Sequence, residues 1–135
     1  MESGTIGCMR IFAALMAASV VLITLAANFG WGGRAFAFLR YVPGRDVTGH
    51  FVLFSLLSFA VVSWLSRPTP TSPGWSYVRI TALLAALVSI DEFSQAFIPT
   101  RTFSWLDLSA SVAGLLAGAL VSRRLLGSRP AKGAA

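Results

Sequence analysis

Two adjacent carboxylates, Asp91 and Glu92, interrupt an otherwise uncharged apolar run, and Gln95, Arg101 and Asp107 follow shortly after. The one histidine, His50, heads an earlier apolar run. An imidazole and paired carboxylates can exchange protons near neutral pH, which makes Asp91, Glu92 and His50 the candidate acid/base groups. A guanidinium offers a planar fork of donors that matches a carboxylate or phosphate, so Arg101 is the candidate anion ligand, with Gln95, Asp107 and Ser111 as polar neighbours that bind substrate. With one Cys and one His the chain cannot build a disulfide framework, a zinc finger, a CxxC pair or a multi-histidine metal site. No cofactor is expected; the alternative to that is a divalent cation among Asp91, Glu92, Asp107 and His50. Walker A, GxSxG, HExxH and GxGxxG patterns are all missing.

The elements that must position these groups are set by composition. Of 135 residues, 56% are hydrophobic and 12% charged, where soluble domains average about 25% charged. The net charge is +6, but the basic residues are scattered singly, so nucleic acid is not an expected partner. Residues 11–29 form nineteen positions without a charge, about 28 Å of helix against a hydrocarbon core of about 30 Å. Further spans are expected at 50–66, 80–98 and 104–122. The expected fold is therefore all-α: a single-domain, polytopic four-transmembrane-helix bundle. Residues 34–42 are expected to form a short interfacial or re-entrant segment in the first outer loop, 67–77 a plain inner loop, and 127–135 a disordered tail. The first run is read as a span rather than a cleaved signal peptide, because three more spans follow it. Seven Arg and Lys lie at one set of span ends (Arg10, Arg67, Arg79, Arg123, Arg124, Arg129, Lys132) against four at the other, which predicts cytoplasmic termini. Trp31, Trp64, Trp75 and Trp105 fall at span ends, where an indole belongs.

A carboxylate at the centre of a membrane helix costs about 2.5–3.5 kcal/mol on insertion scales, so Asp91 and Glu92 cannot face lipid uncompensated. At about 100° per residue, Asp91, Glu92, Ser94 and Gln95 share one broad sector while Ile90, Phe93 and Phe97 take the opposite side. On the fourth span Asp107, Ser111, Gly114 and Gly118 recur along one stripe, and the GxxxG pair is expected to bring that stripe against the third span. His50, Arg101 and Asp107 should then meet the carboxylates near one end of the bundle. Plainer readings compete: Ser104 with Asp107 is a capping-box pattern, Asp46 is an N-cap or turn residue, and His50 is an interhelical hydrogen-bonding group.

The string Asp91-Glu92-x-x-Gln95-x-Phe97-x-Pro99-x-Arg101-x-x-Ser104-x-x-Asp107, continuing to Ala110-Ser111 and Gly114 and preceded by His50, resembles the VanZ-like family of bacterial membrane proteins over about residues 45–120. Ser111 stands where family members carry Asn. The resemblance implies a bacterial cytoplasmic membrane location and a link to low-level resistance against teicoplanin-type glycopeptides, which act on the cell wall. The function expected first is an outward-facing polar pocket that binds an anionic envelope lipid or lipid-linked cell-wall precursor. The alternatives are an acid/base enzyme acting on an envelope lipid, a non-catalytic partner of another membrane protein, and ion transport, which the scarcity of charge in the inner half disfavours.

Overall fold

In hydrocarbon every backbone N–H and C=O must find its partner within the chain, so each apolar run is driven into a helix. A computed structural model describes residues 2–31, 44–66, 75–99 and 101–126. Within them run α1 (Glu2–Asn28), α2 (Arg45–Leu65), α3 (Trp75–Ser94), a 3₁₀ turn (Gln95–Phe97) and α4 (Trp105–Leu126), and no strand occurs among the described residues. The expected interfacial segment at 34–42, most of the inner loop and the tail beyond 126 lie outside the described residues. All four helices are long and apolar enough to cross a membrane.

α1, α2 and α3 begin ahead of the expected spans, and α4 runs past the end of its own. α2 begins at Arg45, behind Gly44 in the left-handed region (φ 58°), so Asp46 lies inside the first turn rather than capping it. An acidic side chain there complements the positive end of the helix dipole. α3 begins at Trp75 instead of residue 80, since a polar flank costs a helix little once it leaves the hydrocarbon. Its far end is set by Pro99. Proline excludes the preceding residue from helical geometry, and Ile98 is accordingly extended at φ −102°, ψ 118°.

α2 and α4 run parallel and make the closest pair in the bundle. The glycine stripe faces α2, not α3 as its sequence spacing suggested: a Cβ on Gly114 would strike the Phe51 carbonyl oxygen, and one on Gly118 the Ser55 carbonyl oxygen. Along the same seam Ser58 Oγ donates to the Leu115 carbonyl oxygen at 2.7 Å, and Ser63 Oγ donates to Ser122 Oγ at 3.0 Å. Small residues and interhelical hydroxyl bonds are how helices associate where lipid is as apolar as leucine. Other hydroxyls, including Ser55, Thr81, Ser89 and Ser109, fold back onto the carbonyl four residues earlier, which satisfies them without a second helix.

α3 closes the groove between α2 and α4. Phe54, Leu57, Val88 and Leu115 form one apolar cluster, and Val62, Tyr77 and Ala119 form a second nearer the opposite end. α1 packs on α2 and keeps Leu15, Leu22 and Leu25 exposed, as α3 does Leu83 and Leu87 and α4 Leu116 and Leu120. Fully buried Ser58, Ser111 and Ser122 beside these exposed leucines depart from the soluble pattern. Because Ser58 is fully buried, Ser58→Ala should lower unfolding stability in detergent by about 0.6 kcal/mol, the mean measured for interhelical bonds in membranes. A denaturant titration that leaves the midpoint unmoved would show the Leu115 bond to contribute nothing.

Candidate functional site

The start of α2, the end of α3 and the start of α4 lie at one end of the bundle, and the chemistry-bearing side chains gather there in two hydrogen-bonded strings. In the first, Gln95 is a relay. Its Nε2 donates to Asp91 Oδ2 at 3.3 Å and its Oε1 accepts from Arg101 Nη2 at 2.6 Å. The reach follows from the helical period, which places Gln95 on the inward sector with Asp91 and Glu92, at 3% exposure. Arg101, half-buried in the linker to α4, thus meets a neutral amide oxygen and not a carboxylate.

The second string joins α2 to α4. His50 Nδ1 lies 3.0 Å from Ser111 Oγ, and Ser111 Oγ donates to the Asp107 carbonyl oxygen at 2.8 Å. Ser111 is fully buried, so its hydroxyl orients the imidazole. The expected approach of the Asp107–Ser111 stripe to α3 gives way to this contact with α2, for the same reason that the glycines do: the close seam is α2 with α4.

Glu92 sits between the strings at 2% exposure. Its Oε1 accepts from the Ser104 backbone N–H at 3.4 Å, and it lies within electrostatic range of His50, Asp107 and Arg101. The Ser104–Asp107 capping box is therefore only half local. Ser104 Oγ does accept from the Asp107 N–H at 3.3 Å, but the reciprocal acceptor for the Ser104 N–H comes from Glu92 on α3. A buried carboxylate on one helix caps the start of another, and the Asp107 side chain is left out of that box.

The opposite face of α3 is apolar as its periodicity requires: Ile90 and Phe93 are exposed and Phe97 is 87% exposed. Ser94 departs from the expected polar sector. It points outward and its hydroxyl donates to the Asp91 carbonyl oxygen at 2.6 Å. An aromatic cluster that the sequence did not disclose flanks the site, with Phe93 stacked on Phe103 at 5.1 Å between ring centroids and Trp105 edge-on to Phe103 at 4.9 Å. These rings come from two sides of a turn and share no helical period, so no local pattern could have revealed them. Among the described residues no group of three His, Cys, Asp or Glu side chains is arranged to hold a metal ion.

Four membrane-length helices, lipid-facing leucines and an enclosed polar cluster define a multi-pass, all-α integral membrane protein. Comparison with known proteins finds no matching family model, no similar curated protein and no similar solved structure.

Proposed function

We propose that this polar cluster binds the headgroup of an anionic envelope lipid or lipid-linked cell-wall precursor, with Arg101 as the anion ligand and Gln95 holding the guanidinium in place. The observation that carries the reading is the bond of Arg101 to the neutral Gln95 amide, which orients the guanidinium without neutralising it. The remaining N–H donors keep both their charge and their geometry for an incoming phosphate. Both termini lie in the cytoplasm on this reading, since seven Arg and Lys flank that side. The cluster then opens toward the exterior leaflet, where cell-wall precursors reside. Membership of the VanZ-like family, a bacterial cytoplasmic membrane location and a contribution to glycopeptide tolerance belong to the same proposal and are supported by the string from Asp91 to Asp107.

Purified protein in nanodiscs should prefer phosphatidylglycerol to phosphatidylcholine. Charge-assisted hydrogen bonds contribute about 1.5–3 kcal/mol each, so Arg101→Ala should reduce that preference by about ten- to a hundredfold. Native mass spectrometry of retained lipid reads the ratio. An Arg101→Ala variant that inserts normally and keeps the wild-type preference would end the proposal. Growth of expressing and non-expressing cells under a teicoplanin-type drug tests the tolerance component, and a reporter fused to the C-terminus tests the orientation.

A further inference from the structure

The two contacts of Ser111 fix more than the position of His50. A hydroxyl has one hydrogen, and in a helix it commonly donates that hydrogen to the carbonyl four residues back. Ser111 Oγ does so toward Asp107 at 2.8 Å. A carbonyl oxygen can only accept, so the hydrogen in the 3.0 Å contact with His50 must come from the imidazole. Nδ1 is then the protonated nitrogen, and in the neutral ring Nε2 presents a lone pair.

No described residue forms a hydrogen bond with Nε2. The ring is half-buried, lies 5.9 Å from the Phe54 ring, and stands at the same end of the bundle as Arg101 and Glu92. The carboxyl oxygens of Glu92 and Asp107 are also acceptors. The site therefore pairs one cationic donor fork with a set of acceptors, and a ligand that fits it carries a negative charge together with hydrogen-bond donors of its own.

Resting on the anion-binding reading above, we infer that the site selects a hydroxylated phosphoester headgroup: the phosphate on Arg101, and a headgroup hydroxyl donating to His50 Nε2. Phosphatidylglycerol has this chemistry, and so does glycerol phosphate free in solution. Phosphatidylmethanol carries the same single charge without the hydroxyls.

Nanodiscs with each lipid separate the possibilities. Wild-type protein should retain phosphatidylglycerol about tenfold better than phosphatidylmethanol, the size of one hydrogen bond lost with its acceptor left unpaired. His50→Asn keeps an N–H donor near Ser111 and removes Nε2, so it should bind both lipids with the wild-type affinity for phosphatidylmethanol. Equal wild-type retention of the two lipids, with phosphatidylcholine still rejected, overturns the hydroxyl inference alone. Equal retention of all three lipids overturns the anion-binding reading beneath it. Glycerol 3-phosphate that competes in wild type but not in His50→Asn supports the same chemistry from a soluble source, whereas a phosphatidylglycerol preference that it cannot displace supports a lipid source. Nitrogen-15 spectra of labelled His50 give a readout independent of folding in the Asn variant. The Nδ1-protonated form is expected in wild type, with a shift toward the Nε2-protonated form in Ser111→Ala, and an Nε2-protonated wild type would overturn the inference.

Discussion

Gly118→Ala is expected to destabilise the bundle by about 1–3 kcal/mol, the usual cost of overpacking a well-filled interior. In an exposed helix the same change stabilises, because alanine exceeds glycine in helix propensity by about 1 kcal/mol. What reverses the sign is backbone. A Cβ at residue 118 would collide with the Ser55 carbonyl oxygen and come within 2.8 Å of the Phe59 amide nitrogen. A side chain could rotate away, but the backbone turn of α2 from Ser55 to Phe59 cannot, so α2 and α4 must separate along the seam that also holds the Ser58 and Ser63 bonds. Gly49→Ala is the control, since a Cβ there meets nothing within 4 Å, and it should raise stability. Unfolding in mixed micelles measures both. If Gly118→Ala and Gly49→Ala shift the midpoint alike, the close seam is not what holds the helices together.

The same glycines show where sequence reading stops. That Gly114 and Gly118 mark a close helix approach follows from their spacing; which helix approaches is a tertiary fact, and the partner is α2. The spans themselves are legible because a charge-free run long enough for hydrocarbon has few other fates. The inward turn of Glu92 and Gln95 against Ile90, Phe93 and Phe97 follows from the helical period. Ser94 escapes that rule because it lies at the edge of the polar sector, about 40° from Ile90 on a 100° step, and falls on the exposed side of α3. Ser104 and Asp107 illustrate the other failure. The local motif assigns both halves of a capping box to one helix end, yet a buried carboxylate that itself needed donors supplies one half from α3.

Gln95→Leu is expected to weaken anion binding nearly as much as Arg101→Ala, although Gln95 is almost fully enclosed and holds the guanidinium from behind. Leucine is close in size and lowers the cost of placing this helix in hydrocarbon, so the helix should insert. Two polar groups then lose their shared partner. Asp91 Oδ2 no longer receives the amide N–H, and Arg101 Nη2 no longer meets Oε1. A guanidinium on a linker without that anchor samples many rotamers, and arginine carries about 2 kcal/mol of rotamer entropy that binding must then overcome. Since the two residues act as one unit, their effects should not add. In a double-mutant cycle on phosphatidylglycerol retention, Gln95→Leu in the Arg101→Ala background should change little, giving a coupling energy of about 1–3 kcal/mol. Gln95→Glu separates geometry from charge: it keeps the acceptor for Arg101 but adds a carboxylate that neutralises the guanidinium and repels Asp91. If the neutrality of the amide is what leaves Arg101 free for phosphate, Gln95→Glu must bind anionic lipid worse than wild type even though its ion pair with Arg101 is stronger. Tighter binding in Gln95→Glu would mean that position, not charge, limits the site.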